Sequence, residues 1–401
     1  MLTRQGWLVV LGGAALVAAG RVLGLTELFV LGVVAGALLI GAALLTAASR
    51  LELQVGRSVH PTRVHVGTQS RVDLTIRNLR AAGTPVLRLR DPVSGTRGAD
   101  LLVPPLGKGE RTLAAYRLPT DRRGLLRIGP LDVVVGDPFG LTSITTVAAP
   151  MVEVTVYPRI DEIQPLPYTT GHDPLAGARQ PNSLGRTGED FYALRPYVVG
   201  DDLRRVHWPS SARHDELLIR QNELPWQGRT TVLLDVRKAA HNGDSLEVAV
   251  SVAASVVAAT ARRHDLVRLV TSNGSDSDFA PGSDHIEAIM EHLAVVPASA
   301  GSLRRSVEIL GRRSTGGALV VIVADVPSED LSAVTSLRGR YGSLTIVQID
   351  RSAWDPSAAI GPAPSVPVLR VTRDAPFPQT WNTYVRSMSA SGRRATAAGR
   401  R

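Results

Sequence analysis

Acidic, basic and histidine side chains are concentrated in one segment, residues 188–223, which reads GEDFYALRPYVVGDDLRRVHWPSSARHDELLIRQNE. A catalytic interpretation would use Asp201, Asp202, His207 and His214 as a metal-binding or acid–base cluster. The spacing of these residues matches no zinc motif such as His-Glu-x-x-His, and it defines no Ser-His-Asp triad. We therefore expect the segment to have a structural or docking role rather than a catalytic one.

The arginines of the same segment suit such a role. A guanidinium forms paired hydrogen bonds with a carboxylate, and arginines and aspartates are close together along this stretch. Pro196 fixes a turn and Gly200 permits a positive φ, while aromatic side chains can anchor apolar faces. These features predict a clasp between two domains that can also serve as a docking surface for a partner. The clasp residues are Asp190, Phe191, Arg195, Tyr197, Gly200, Asp201, Asp202, Arg204, Trp208, Ser211 and Arg213.

Two further acids end apolar runs in the C-terminal half: Asp235 follows TTVLL, and Asp325 follows VVIVA. The carboxyl ends of parallel strands meet at one edge of an open α/β sheet, where ligands bind. Two carboxylates at that edge could hold a hard divalent cation such as Mg²⁺. However, the guanidinium of Arg237, two residues after Asp235, would repel the cation. We therefore expect Asp235 to pair with Arg237 or to cap a helix instead.

Strand and helix patterns alternate from residue 229 to residue 390. The apolar runs TTVLLDV, LVRLVTSN, GALVVIVADV and SLTIVQID are typical of buried parallel strands. Helical runs such as SLEVAVSVAASVVAATARRH and DHIEAIMEHLAVV separate them. This alternation predicts a doubly wound α/β domain of the Rossmann type. Residues 391–401 form a small, polar and basic tail that we expect to be disordered.

Residues 51–158 have the pattern of short strands instead. RVDLTIRN alternates apolar and polar residues, and similar runs follow between glycine and proline turns. The pattern predicts an all-β, sandwich-like domain. Residues 159–228 then join the two domains, as a proline- and glycine-rich linker followed by the clasp segment.

The first 50 residues contain two apolar runs, WLVVLGGAALVAAGRVLGL over 7–25 and LFVLGVVAGALLIGAALLTAA over 28–48. At about 1.5 Å per residue, the second run spans roughly 30 Å, the thickness of a hydrocarbon core. A hairpin of two transmembrane helices, with a turn around Thr26 and Glu27, is favoured over a cleaved signal peptide. The reason is that a second, longer apolar run follows the first at once.

The arginines around these runs set the expected orientation. Arg4 precedes the first span, and Arg50, Arg57 and Arg63 follow the second, while Arg21 opposes them from the connecting turn. The positive-inside bias therefore predicts a two-span protein of the cell membrane, with the bulk of the chain in the cytoplasm.

Composition limits the classes of function. The 401 residues carry a net charge of +9, which favours anionic partners such as lipid headgroups, acidic proteins or nucleic acid. An aromatic content of 4% argues against a base-stacking nucleic-acid module. The chain has no cysteine, which excludes disulfides, thiol catalysis and cysteine–zinc sites.

The clasp segment resembles the signature of the domain of unknown function 58 family. The matching pieces are Gly-x-Asp-Phe from Gly188, Leu-Arg-x-Tyr from Leu194, Gly-Asp-Asp from Gly200, Arg-x-x-x-Trp ending at Trp208, and Ser-Ala-Arg from Ser211. The upstream run RRGLLRIGPLDVVVGDPFGL is also similar to that family. The resemblance implies a membrane-anchored protein with an intervening β region that works beside a MoxR-type AAA+ ATPase.

The α/β region resembles a von Willebrand factor A domain. That resemblance implies a metal site built on Asp-x-Ser-x-Ser after the first strand, with a Thr and an Asp from later loops. Asp235 matches the first position, whereas Arg237 and Ala239 replace the two serines. The expectation is therefore no cofactor, with Mg²⁺ at Asp235 and Asp325 as the alternative.

Together these patterns predict a non-enzymatic, membrane-anchored adaptor. The family resemblance implies that it serves the assembly or remodelling of membrane or envelope complexes. The expected partners are a MoxR-type ATPase, the lipid bilayer and other membrane or envelope proteins, with no nucleic acid. Two alternatives stay open. One is a metal-dependent hydrolase built on Asp201, Asp202, His207 and Asp235, and the other is a nucleic-acid-binding membrane anchor.

Overall fold

A computed structural model describes residues 1–48, 52–167, 190–198, 206–214, 216–223, 228–242, 244–312, 316–324, 326–355, 357–358 and 366–398. The chain divides into two compact units, Met1–Tyr157 and Pro158–Arg401. The first contains two apolar helices and a set of β-sheets, and the second contains a parallel five-stranded sheet with helices. This arrangement confirms the coarse architecture expected from the sequence patterns.

The first unit begins with two apolar helices, α1 (Arg4–Leu23) and α2 (Thr26–Ala48). Thr3 caps α1, because its hydroxyl accepts a hydrogen bond from the backbone N–H of Gly6. Gly24 ends α1 with a φ of 70°, a left-handed conformation that suits glycine. Both helices are long and apolar enough to cross a membrane. The turn between them lies slightly earlier than predicted, since α2 already begins at Thr26.

Glycines allow α1 and α2 to approach closely. A Cβ atom added to Gly20 would lie 2.5 Å from the backbone nitrogen of Phe29, which is much closer than real atoms approach. A Cβ atom on Gly13 would lie 3.4 Å from the Cβ of Ala35, at the edge of ordinary contact. Small residues at such positions let helix backbones pack against each other without the hydrophobic effect.

Short strands form the rest of the first unit, as the alternating pattern predicts. They assemble as β1–β3–β6, β2–β10–β7 and β5–β4–β8–β9, and a single apolar core is shared among strands of all three sheets. Val72, Leu74 and Ile76 are fully buried on one face of their strand, which confirms the period-two pattern of RVDLTIRN. The strands are β1 (Leu53–His60), β2 (Val64–His65), β3 (Ser70–Asn78), β4 (Leu87–Asp91), β5 (Ala99–Val103), β6 (Arg111–Leu118), β7 (Gly124–Ile128), β8 (Leu131–Gly136), β9 (Ser143–Ala149) and β10 (Val152–Tyr157).

The second unit is built on five parallel strands in the order β14–β13–β15–β16–β17. Every residue of β15 is buried, and so is all of β13 after its first residue, because both strands lie inside the sheet. The strands are β13 (Arg229–Leu234), β14 (Leu266–Thr271), β15 (Ala318–Val323), β16 (Ser343–Ile349) and β17 (Leu369–Val371). The accompanying helices are α4 (Ser245–Ala261), α5 (Ser283–Val295), α6 (Leu303–Arg312), α7 (Ser328–Thr335) and α8 (Phe377–Ala398).

Helix α8 fastens the extended segment 158–167 to this unit. Trp381 is buried, and its indole Nε1 donates a hydrogen bond of 2.7 Å to the carbonyl of Gln164. The helix begins at Phe377 as predicted but continues to Ala398, into the segment that we expected to be disordered. The difference has a simple cause, since the alanines and arginines of the tail favour a helix once α8 has been nucleated by packing.

Candidate functional site

The clasp segment contains a β-hairpin and a short helix in the residues that the structure describes. Strand β11 (Asp190–Pro196) pairs antiparallel with β12 (Leu218–Glu223), and α3 (Trp208–His214) lies between them in sequence. A register shift between Phe191 and Ala193 interrupts the pairing. The sequence analysis assigned no strand or helix to the clasp segment, whereas the backbone of much of it is regular.

Ser211 joins α3 to the hairpin. Its hydroxyl donates to the carbonyl of His207 and accepts a hydrogen bond of 2.9 Å from the backbone N–H of Leu218. The backbone N–H of His207 in turn donates to the carbonyl of Leu218, at 2.8 Å. Ser211 is buried and holds the helix in place, so its contribution to the site is structural.

His207 lies directly before α3. Its Nδ1 lies 2.8 Å from the hydroxyl of Ser210, one turn along α3. The described residues also contain no group of three or more His, Asp or Glu side chains that could hold a metal ion. Asp201 and Asp202, which the hydrolase alternative needs, lie outside the described residues, as do Gly200 and Arg204.

The described clasp residues divide by exposure. Trp208 and Arg213 are exposed and Tyr197 is half-buried. The backbones of Asp190, Phe191 and Arg195 belong to β11, but the structure does not describe their side chains. The arginine–aspartate network of the clasp therefore stays a prediction.

Three exposed apolar side chains lie around one end of this hairpin, and we call them the hairpin patch: Val198, Trp208 and Leu217. Trp208 is 65% exposed, which is unusual for so large an apolar ring. The backbone N–H of Tyr197 donates to the carbonyl of Leu217 at 2.7 Å, and this bond brings Val198 close to Leu217. An exposed tryptophan among aliphatic side chains is typical of a surface that another protein covers.

The carboxyl edge of the parallel sheet holds a second polar cluster, centred on Asp235. This residue follows β13 directly and is completely buried. Its carboxylate faces the guanidinium of Arg237, with Nε to Oδ1 at 3.0 Å and Nη2 to Oδ2 at 2.8 Å. The backbone N–H of Arg237 adds a third bond, to Oδ1 at 3.1 Å. Both carboxylate oxygens of Asp235 are therefore engaged by one side chain.

Arg237 also reaches a second acid. Its Nη1 donates to Oδ2 of Asp330, at 3.1 Å, in the first turn of α7. Hydrogen bonds from Arg237 to Asp235, reinforced by the nearby charges of both acids, raise the pKa of the guanidinium above its ordinary value despite burial. The guanidinium therefore stays charged and bridges two loops of the sheet edge. Asp330 was not among the predicted site residues, because an acid in the first turn of a helix usually serves the helix dipole.

His241 contacts the backbone of the same cluster. Its Nε2 lies 2.7 Å from the backbone carbonyl of Asp235, and its Nδ1 lies 3.2 Å from the hydroxyl of Ser245. Burial lowers the pKa of His241, and the charges of Arg237 and Arg351 act in the same direction, against the raising effect of Asp235. The neutral ring therefore donates one hydrogen bond to the loop and fixes its path.

These contacts do not fit a divalent cation at Asp235. A metal ligand needs free carboxylate oxygens, and those of Asp235 are bonded to a positive group at the place where a cation would have to approach. Arg237 and Ala239 stand at the positions of the two serines that the von Willebrand factor A resemblance would require. The pairing of Asp235 with Arg237 is the alternative that the sequence analysis expected. Asp325 lies outside the described residues.

This chain is similar in sequence to a family of unknown function and to an uncharacterized protein. Residues 193–352 match the sequence model of the family described as "Protein of unknown function DUF58". The match starts within β11 and extends past β16, so it includes most of the hairpin, all of α3 and the Asp235 cluster. The uncharacterized protein YeaD of Bacillus subtilis (strain 168) is 25% identical over 320 residues, which cover 73% of this chain and 75% of YeaD.

Solved structures give weaker likenesses. A CARDB domain from Pyrococcus furiosus, solved in complex with di-metal ions, is 20% identical over 26% of this chain and 88% of that domain, with a TM-score of 0.21. The alkylpurine DNA glycosylase AlkC of Pseudomonas fluorescens, bound to DNA, is 15% identical over 28% of this chain and 33% of that protein, with a TM-score of 0.19. Similarities at this level carry no argument about fold or function.

Proposed function

We propose that this chain is a membrane-anchored, non-enzymatic interaction module of the DUF58 family. The observation that carries the proposal is the state of Asp235, whose two carboxylate oxygens are both occupied by Arg237. The carboxyl edge of a parallel sheet is where an α/β enzyme holds its reacting groups. A carboxylate neutralised in this way is unsuited to act as a base or a metal ligand, but it makes a rigid surface.

The proposed anchor is the hairpin of α1 and α2. Both helices have the length and apolar composition that a bilayer requires, and α2 carries a single charge, at Glu27 in its first turn. The positive-inside bias supports a cell-membrane protein with both ends of the hairpin, and hence the β-sheets and the α/β unit, in the cytoplasm.

The proposed partner is a MoxR-type AAA+ ATPase, in the assembly or remodelling of membrane or envelope complexes. Support for this partner comes from the resemblance of the clasp segment to the family signature. The match of residues 193–352 supports the family alone. The finer proposal for the α/β unit is a von Willebrand factor A-like fold, which its parallel sheet and flanking helices support. The hairpin patch offers a surface of the kind that protein partners bury.

Co-purification tests the partner directly. The full-length chain in detergent is used to recover proteins from membranes of its source cells, and any AAA+ ATPase recovered is then purified and its affinity measured. Trp208→Ala removes the largest exposed side chain of the hairpin patch, so we expect affinity to fall at least about tenfold, as for a tryptophan hot spot. Leu113→Ala is the matched control, because Leu113 is an equally exposed apolar residue on β6, far from the patch in sequence.

Two outcomes would contradict this proposal. Recovery of no AAA+ ATPase with the intact chain would remove the proposed partner. An equal effect of Trp208→Ala and Leu113→Ala on affinity would remove the hairpin patch as the docking surface.

The rival functions have their own measurements. Calorimetric titration with Mg²⁺, Mn²⁺ and Zn²⁺ should show no saturable binding that Asp235→Ala abolishes, whereas such binding would revive the metal-dependent hydrolase. The net charge of +9 motivates the nucleic-acid-binding anchor. For that alternative, binding of DNA or RNA should weaken steeply as salt concentration rises, because phosphate contacts release counterions.

A further inference from the structure

The turn between β8 and β9, residues 137–142, has backbone N–H groups that form hydrogen bonds within the turn. The carboxylate of Asp137 accepts hydrogen bonds from the backbone N–H groups of Phe139 and Thr142 and from the Thr142 hydroxyl. The backbone N–H of Gly140 donates to the carbonyl of Asp137 at 3.0 Å. Backbone groups that are satisfied internally can enter a region with little water at low cost. The same turn presents the ring of Phe139 outward, 60% exposed.

This turn is attached to the beginning of α1. The backbone N–H of Thr3 donates to the carbonyl of Leu141 at 2.9 Å, and the Thr3 hydroxyl donates to the carbonyl of Gly140 at 2.6 Å. A Cβ atom on Gly6 would overlap the carbonyl oxygen of Leu141, so the turn lies directly against the bare backbone of α1. The contact therefore requires glycine at position 6, because any side chain there would clash with the turn.

The same turn is also attached to the end of α2. The hydroxyl oxygen of Thr142 lies 3.2 Å from the carbonyl oxygen of Ala42 and 2.5 Å from the hydroxyl of Thr46. Thr142 and Thr46 are both buried in this contact. Both helices therefore hold one turn of the β-sheet region at the same end of the hairpin, and the anchor is joined to the β-sheets by a rigid contact.

The helix lengths set the depth of this contact. α2 has 23 residues, so it is about 34 Å long, slightly more than the roughly 30 Å of a hydrocarbon core. Gly6 lies in the first turn of α1 and Thr46 in the last turn of α2, so both lie near one membrane surface. Trp7, which follows Gly6, is 57% exposed and has the side chain most typical of the membrane–water interface.

We infer that the turn of residues 137–142 enters the interfacial layer of the bilayer and buries Phe139 among lipid headgroups and upper acyl chains. The inference rests on the proposed membrane anchoring by α1 and α2. Phe139 then joins Trp7 in one interfacial belt, and the apolar ring that would otherwise face water is covered by lipid. The β-sheet region is consequently held at a fixed height and orientation on the membrane instead of being free on a tether.

The natural absence of cysteine makes this inference testable with single-cysteine variants. Phe139→Cys, Leu38→Cys and Leu113→Cys are each labelled with nitrobenzoxadiazole in the full-length chain, which is reconstituted into vesicles of phosphatidylcholine and phosphatidylglycerol. Leu38 lies in the middle of α2 and reports the hydrocarbon core, whereas Leu113 is exposed on β6 and reports water. Iodide quenches labels in water, and doxyl-labelled lipids quench labels in the bilayer.

We expect iodide quenching at position 139 to be at least about threefold weaker than at position 113, with the strongest lipid quenching from doxyl groups near the headgroups. Equal iodide quenching at positions 139 and 113, with position 38 protected, would overturn the inference and leave the anchor intact. Iodide quenching at position 38 as strong as at 113 would instead overturn the anchor itself. If Phe139→Cys fails to fold, Leu2→Cys reports the same level, because Leu2 forms a β-bridge with Thr142.

Discussion

At the scale of single residues, Arg237 neutralises a buried acid at the carboxyl edge of the parallel sheet. A buried carboxylate such as Asp235 is stable only when it is paired and hydrogen-bonded, and Arg237 supplies both the charge and the donors. The same guanidinium links Asp235 to Asp330 across two loops. Arg237 thereby holds Asp235 and Asp330 in one network of ion pairs.

This arrangement predicts the effect of Arg237→Ala. The substitution leaves the buried Asp235 charge without its partner, so we expect the free energy of unfolding of the α/β unit to fall by about 3–5 kcal/mol. Hydrogen exchange of peptides that cover β13, in the full chain in detergent, measures this change. Arg159→Ala is the control, since Arg159 is itself exposed where it pairs with Asp161, and we expect a loss of less than about 1 kcal/mol.

Adding Asp235→Asn to Arg237→Ala separates charge from packing. Removal of the unpaired Asp235 charge should restore about 1 kcal/mol or more of the free energy of unfolding that Arg237→Ala removes, because the two residues are directly coupled. Equal stability of Arg237→Ala and Arg159→Ala would show that Asp235 does not depend on the pair.

At the scale of elements, the hairpin of α1 and α2 depends on close backbone contact. Gly20 lies against the backbone of Phe29, whereas Gly36 has no other atom near the place where its Cβ would be. A large side chain should therefore separate the helices at position 20 and be harmless at position 36. The two glycines differ in their surroundings although the sequence runs around them are similarly apolar.

An engineered disulfide between α1 and α2 measures how closely the two helices pack. Gly13→Cys together with Ala35→Cys should form an intramolecular bond, because Cβ atoms at these positions would be 3.4 Å apart, close to disulfide geometry. In the full chain in detergent, Gly20→Leu should reduce cross-linking at least about threefold by preventing close approach, while Gly36→Leu should leave it unchanged. Gel mobility under non-reducing conditions gives the yield. Complete cross-linking in the Gly20→Leu background would contradict the contact.

At the scale of the whole molecule, two units of different construction follow one another along the chain. The first unit combines the apolar helices with the β-sheets, and its turn at residues 137–142 binds both helices. The second unit has the parallel sheet, the hairpin patch and the Asp235 cluster. The proposed adaptor role therefore assigns membrane attachment to the first unit and partner recognition to the second.

The orientation of the molecule gives a separate prediction. If the positive-inside bias holds, the connecting turn at Leu25 lies outside the cell and β6 lies inside. In intact cells, a membrane-impermeant maleimide should label Leu25→Cys and should label Leu113→Cys only after permeabilisation. Both positions are exposed in the structure, and the unsubstituted chain has no cysteine to react. Labelling of Leu113→Cys in intact cells would reverse the orientation.

The predictions that succeeded depend on local patterns. The alternation of Val72, Leu74 and Ile76 predicted a half-buried strand, because side chains alternate between the two faces of a sheet. The continuous apolar run before Asp235 predicted an interior parallel strand, because both faces of such a strand are buried. The regular hairpin within the clasp segment was missed, since prolines and glycines obscured the short alternating runs of β11 and β12.

The sequence by itself determined the order of apolar helices, β-sheets and α/β unit, since these follow from the periodicity and length of apolar runs. It also identified Asp235 and its partner Arg237, because the two residues are only two positions apart in the chain. Only the tertiary structure brought Asp330 to Arg237 and Thr142 to Thr46, over separations of 93 and 96 residues. Such contacts are decided by how whole elements pack, and no local pattern encodes them.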